Sequence, residues 1–120
     1  MQYFVTGATG FIGKRLVKAL LQRSNAVVYF LLRRESKDKV QALHEHWGVG
    51  EQRAIPVYGD LTARRLGVPA DALKRLKGRI DHVFHLAAIY DLSVDAPAQI
   101  AVNVEGTRQL VEFAKAIELT

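Results

Sequence analysis

The sequence predicts an α/β domain built on a doubly wound parallel sheet, and three observations carry that expectation. Apolar strand-like runs alternate with helically periodic segments in the order βαβαβαβα. The run at residues 26–32 is apolar without interruption, as expected of a parallel strand covered on both faces. The first strand signal runs into Gly7, Gly10 and Gly13 and straight on into a helix signal.

Each element has its own reason. Residues 3–6 form a short apolar run stopped by glycine, read as strand one. Residues 11–23 place Ile12, Leu16, Val17, Leu20 and Leu21 at helical spacing, and Ser24-Asn25 punctuates. Residues 26–32 supply strand two from β-branched and aromatic side chains. Residues 33–39 are a charged loop or helix start, and Val40–Trp47 is a short helix stopped by Gly48. Ala54–Tyr58 is the third strand; Pro56 lacks a ladder donor, which assigns it to an edge. A loop at 59–69, a short helix at 71–76 closed by Gly78, and a fourth strand at 82–86 follow. A loop at 87–97 leads to the longest helix, 98–118. Right-handed crossovers then predict the strand order 3-2-1-4, with the proline-bearing strand outermost. The last helix carries apolar residues over half its circumference or more, Ile100, Val104, Leu110, Val111, Phe113 and Ile117 among them. Two readings fit that width: a neighbouring helix of the same chain, or a second copy in a homo-oligomer.

Composition narrows the function classes. The chain has 120 residues and a net charge of +5, with 49% apolar residues, which suits one globular domain or part of one. Its basic residues are scattered and not interleaved with aromatics, a pattern that argues against nucleic acid. The chain has no cysteine, so disulfides, thiolate catalysis and cysteine metal sites are excluded. No second histidine or acid stands at ligand spacing from His85, so no metal site is predicted, and His85 is read as a hydrogen-bonded core histidine. His44 and His46 lie on a surface helix and receive no role; Trp47 and Tyr90 are read as packing residues, with a place beside a substrate cleft the alternative for Tyr90. No apolar stretch reaches membrane-span length and Met1 leads directly into a strand, so the expected location is cytoplasmic.

The glycine turn points to a ligand. Glycines spaced G-x-x-G-x-x-G between a strand and a helix let the backbone turn tightly and approach a diphosphate, and the helix start supplies free N–H groups. Gly7, Gly10 and Gly13, together with Thr6, Thr9 and the amides of Phe11 and Ile12, are the expected phosphate contacts of a dinucleotide. After strand two, an acidic residue would hold a ribose hydroxyl, but Arg33 and Arg34 occupy that place. A hydrogen bond to a charged group contributes about 1.5–3 kcal/mol. Guanidiniums would therefore favour a 2′-phosphate, and NADP(H) is predicted over NAD(H). Asp60 and Leu61 follow strand three and are placed at the adenine, although Asp60 also fits a turn residue. Ala87 and Ala88 follow strand four, where small side chains let a cofactor lie against the backbone.

Three segments in order resemble the extended short-chain dehydrogenase/reductase superfamily. Thr6-Gly7-Ala8-Thr9-Gly10-Phe11-Ile12-Gly13 is similar to its cofactor loop, and Asp81-His82-Val83-Phe84-His85-Leu86-Ala87-Ala88 to its fourth-strand signature. Val102-Asn103-Val104-Glu105-Gly106-Thr107 is similar to the signature of the following helix. The resemblance spans the whole chain and implies a Rossmann-like fold with the glycines, Phe11 and Ile12 at the pyrophosphate. It further implies Asp60 and Leu61 at the adenine, Ala87 and Ala88 near the ribose and nicotinamide, and Asn103 as a structural polar residue close to the site. The stretch Leu31-Leu32-Arg33-Arg34-Glu35 is similar to the NADPH-dependent branch that reduces fatty-acyl thioesters. Ala63 stands where the family's second acid after strand three is found.

The family's catalytic residues are expected elsewhere. Members carry a fifth strand, then Tyr-x-x-x-Lys, then a substrate domain. Tyr3, Tyr29, Tyr58 and Tyr90 have no lysine four residues on. The chain is therefore expected to be the N-terminal, cofactor-binding portion of a larger reductase acting on a carbonyl or acyl thioester, truncated before strand five and inactive alone. A non-catalytic NADP-binding regulator of the NmrA-like kind and a nucleotide-sugar epimerase or dehydratase portion are the alternatives.

Overall fold

The computed structural model describes residues 1–87 and 96–119. Its elements are β1 (Gln2–Thr6), α1 (Phe11–Leu21), β2 (Val27–Leu32), α2 (Val40–Trp47), β3 (Ala54–Tyr58), α3 (Ala70–Leu76), β4 (His82–His85) and α4 (Ala96–Ala116). Two 3-10 turns, Arg34–Lys39 and Arg64–Gly67, occupy parts of the expected loops. The four strands are parallel in the order β3-β2-β1-β4, with Phe4 opposite Tyr29 and Val83, and Tyr29 opposite Ile55. Pro56 lies in the edge strand, where its missing N–H removes no ladder bond from the sheet interior.

The sheet separates two apolar cores. Val5, Val17, Val28, Phe30 and Trp47 pack on the α1–α2 side. Phe4, Val57, Leu66, Leu76 and Phe113 pack on the α3–α4 side. Ring pairs tie each layer to the sheet: Phe30 and Trp47 meet edge-on at 5.2 Å, and Phe4 and Phe113 at 4.6 Å. Trp47 also donates its indole N–H to the Lys14 carbonyl at 3.1 Å, joining α2 to α1.

β2 corrects the expectation of a strand buried on both faces. Val28, Phe30 and Leu32 are buried, but Tyr29 and Leu31 are only half-buried. Leu31 borders a cleft at the strand ends, and Tyr29 is left open by the short length of α3. Its seven residues leave a groove of about 500 Å³ over β2 and β3. α1 ends at Leu21, before residue 23, and Arg53 satisfies the Leu21 carbonyl and two carbonyls beyond it. The guanidinium donates to Leu21 O at 2.5 Å, Arg23 O at 3.1 Å and Ala26 O at 3.1 Å.

α4 buries one face through Gly106, Leu110 and Phe113, with Ile117 just beyond its end, while Ile100, Val104 and Val111 are exposed. The apolar stripe is thus wider than the described residues cover. No helix among the described residues is long and apolar enough to cross a membrane.

Candidate dinucleotide-binding cleft

The turn between β1 and α1 is fixed by two glycines for reasons internal to the chain. Gly7 has φ +76°, and a Cβ there would stand 2.7 Å from Ala87 N and from Leu86 C. A Cβ on Gly13 would stand 1.8 Å from the Gly7 carbonyl oxygen, so any side chain would push α1 off the turn. Gly10 differs. A Cβ there meets only Gly7 O, at an ordinary 3.4 Å. The protein has room for a side chain at Gly10, and the cleft in front of it is what a side chain would narrow.

Gly10 is the N-cap of α1 and provides no side-chain cap. Gly10 N–H donates to Gly7 O at 3.2 Å, and Lys14 N–H makes the first helical bond, to Gly10 O at 2.9 Å. The amides of Phe11, Ile12 and Gly13 have no acceptor among the described residues. No acidic side chain stands in the first turn to neutralise the positive end of the helix dipole. The Phe11 side chain lies outward beneath the Arg15 guanidinium, 4.1 Å from its ring centre, and Ile12 is likewise exposed. Both therefore bring backbone groups to the turn, with their side chains outside the cleft lining.

The cleft runs along the carboxyl ends of the strands and holds about 480 Å³. Gly7, Thr9 and Gly10 wall it after β1, Leu31, Leu32 and Arg33 at the end of β2, Gly59 and Leu61 after β3, and Ala87 after β4. An open parallel sheet binds ligands in this position, outside the strand ends at the switch of connection direction. Gly59 has a steric reason that the sequence did not disclose: a Cβ would stand 2.1 Å from Leu66 O. Ala88 lies outside the described residues, as does Tyr90.

Two expected site residues stand elsewhere. Arg34 opens the 3-10 turn that follows Arg33 and lines the groove over β3, whereas Arg33 lines the cleft. Ser36 and Lys39, one and two 3-10 turns further on, line the cleft in its place. Reading only the residues directly after strand two misses them, because the helical turn returns every third side chain. Asp60 is not among the residues lining the cleft. Its Oδ1 accepts the Thr62 N–H at 3.0 Å and the Thr62 hydroxyl at 2.9 Å, an Asx turn that shapes the loop. Those two hydrogen bonds hold its carboxyl below the usual range, with a smaller contribution from the Arg33 charge and slight burial opposing.

Behind the cleft a hydrogen-bond chain joins β1, β4 and α4. Ala87 N–H donates to Thr6 Oγ1 at 3.3 Å, and Thr6 Oγ1 lies 2.7 Å from His85 Nδ1. His85 Nε2 lies 3.4 Å from Thr107 Oγ1, whose hydroxyl donates to Asn103 O at 3.0 Å. Thr6 and the His85 ring thus share one hydrogen bond, with its direction set by the ring tautomer. Burial lowers the His85 pKa from its usual 6.5. His85 is half-buried with a hydrogen-bond contact at each ring nitrogen.

A family model described as male sterility protein, an NAD-binding family, matches residues 5–120. The chain belongs to that family. It is 34% identical over 120 residues to a linear gramicidin synthase of Brevibacillus parabrevis, covering 93% of this chain and 2% of the relative. It is 29% identical to the fatty acyl-CoA reductase wat of Drosophila melanogaster, covering 95% of this chain and 25% of the relative. The terminal R domain from the myxalamid PKS-NRPS biosynthetic pathway superposes with a TM-score of 0.80 at 28% identity, over 99% of this chain and 32% of that one. The chain therefore spans no more than about a third of these relatives. As a member of this family it is a nicotinamide-dinucleotide-binding domain of the extended short-chain dehydrogenase/reductase type, similar to reductases.

Proposed function

We propose that this domain binds NADP(H), in preference to NAD(H), for a reductase that delivers hydride to a carbonyl or acyl-thioester substrate. The observation that carries the reading is Gly10, whose missing side chain the chain's own packing does not require, next to three amides without acceptors among the described residues. The residues present fit the cofactor. The amides of Phe11, Ile12 and Gly13 face a diphosphate, and Gly7 and Gly13 let the backbone approach it. Arg33 and Lys39, with the Ser36 hydroxyl between them, take the 2′-phosphate. Leu61 packs on the adenine, and Asp60 holds the loop that presents it. Ala87, with Ala88 after it, lets the ribose and nicotinamide side lie close to the backbone.

The bound cofactor supplies the hydride. The chain holds no Tyr-x-x-x-Lys, so the proton donor of that chemistry is not among its residues. The domain alone binds and does not turn over. The thioester part of the reading is supported by similarity to a fatty acyl-CoA reductase and to a terminal R domain.

Calorimetric titration of the chain with NADPH and NADH tests the proposal. The expected result is binding of NADPH about ten- to a hundred-fold tighter than NADH, the range one charged hydrogen bond supplies. Equal affinities overturn the cofactor preference. Binding of neither, by a folded chain, overturns the cleft assignment.

A further inference from the structure

We infer that the groove between α3 and the edge strand β3 is a second ligand site, one that takes a small amphiphilic anion with an apolar body and one phosphate or carboxylate head. The groove holds about 500 Å³ and shares no lining residue with the dinucleotide cleft. That volume falls in the range of small-molecule pockets, about 300–1,000 Å³.

Its floor is apolar sheet surface left open by the short α3. Tyr29 and Ile55 are half-buried there on the α3 face, with Ala72 opposite them on α3, while Pro56 and Tyr58, on the other face of β3, border the groove at the sheet edge. Floor atoms of this kind gain from covering by an apolar body, because the sheet face is already ordered and water is all that is displaced.

The rim is cationic. Arg34 stands on the β2 bank, Arg75 lies on α3, and Arg79 follows α3. One acid, Asp71, also lines the groove, so three guanidiniums face one carboxylate. Asp71 reaches Arg75 at 4.0 Å with both side chains largely exposed, a pair too weak to occupy the arginine fully. Arg34 and Arg79 have no ion-pair partner among the described residues. Planar guanidiniums bordering a floor of Tyr29 and Ile55 suit a forked oxyanion on a hydrophobic body, and disfavour a cation.

Octyl phosphate is the probe, with octanol, octylammonium and inorganic phosphate as comparators, followed by amide chemical shifts of the labelled chain. The expected result is octyl phosphate binding at least about tenfold tighter than each comparator, roughly what one charged hydrogen bond supplies. Its shifts fall at Ile55, Val57, Ala72 and Arg75, and NADPH does not displace it. The R75A/R79A double variant loses at least about tenfold of that affinity, again the loss of one charge-assisted contact. It leaves NADPH binding unchanged. Ala72→Phe, which fills the groove, abolishes octyl phosphate binding by a second route. Equal binding of octanol or octylammonium overturns the anion site, and equal binding of inorganic phosphate overturns the apolar floor. Shifts confined to Gly7–Gly13, or sedimentation showing that the groove residues join two copies of the chain, also overturn it.

Discussion

Thr6 Oγ1 lies 2.7 Å from His85 Nδ1, and Thr6 is fully buried at the end of β1. The hydroxyl accepts from Ala87 N–H and shares a hydrogen bond with the imidazole, so one side chain holds both the β4 terminus and the histidine ring. Thr6→Val keeps the shape and removes both functions. It leaves an unpaired amide and ring nitrogen, at a cost of about 1–3 kcal/mol. Urea denaturation should show that loss, and Thr6→Ser should restore most of it.

His85 gives the same contact a pH dependence. Its folded pKa is lowered by burial, so the folded chain prefers the neutral ring and the unfolded chain binds the proton first. The stability contributed by neutral His85 is present above the unfolded value, about 6.5. It is lost as pH falls through the lower, folded value. Denaturation midpoints measured from pH 7.5 down to pH 5 should fall in the parent and fall less steeply in His85→Gln. Identical slopes would show that the ring titrates alike in both states.

Trp47 joins α2 to both α1 and β2, through its N–H to Lys14 O and its edge contact with Phe30. Trp47→Phe keeps an aromatic ring and loses the hydrogen bond, worth about 1 kcal/mol net. Trp47→Ala opens a cavity against Phe30 and should cost about 3–5 kcal/mol. Thermal denaturation of the pair separates the two contributions.

The sequence made the sheet legible because its strands are continuous apolar runs and its breaks are glycines. Pro56 placed β3 at an edge, and the three glycine positions placed the first turn. Contacts between distant backbone groups and side chains left no periodic trace. Nothing in the sequence pattern marks Arg53, which satisfies three carbonyls around the end of α1. His44 reads as a surface residue, yet its Nε2 meets Ala54 O at 2.8 Å and ties α2 to β3. The loop after β3 hides a turn in which Arg65 and Leu66 both take positive φ, held by Asp60 N–H to Leu66 O at 2.7 Å and Arg65 N–H to Gln109 Oε1 at 3.0 Å. Charge type at the cleft was readable, but which cation enters it depends on a helical turn. That turn sends Arg34 to one side and Lys39 to the other.

That division predicts an asymmetry between neighbouring arginines. Arg33→Ala combined with Lys39→Ala should weaken NADPH about ten- to a hundred-fold, as expected for lost charged hydrogen bonds, and leave NADH unchanged. Arg34→Ala should leave both affinities unchanged. Fluorescence or calorimetric titration decides it, and an Arg34 effect equal to that of Arg33 would return Arg34 to the cofactor.

The three glycines of the first turn should separate fold from binding. Gly13→Ala drives a methyl to 1.8 Å from a backbone oxygen, and Gly7→Ala strains a positive φ while pressing on the β4 backbone, so both should unfold the chain or shift its melting point steeply. Gly10→Ala meets nothing closer than 3.4 Å. It should lower stability by only about 1 kcal/mol, the usual N-cap difference. The added methyl occupies the ground in front of the free amides, so NADPH affinity should fall by at least about tenfold, more than 1.4 kcal/mol. Circular dichroism establishes that the variant is folded, and titration reads its affinity. A folded Gly10→Ala chain with undiminished binding would mean that the diphosphate does not sit on this turn.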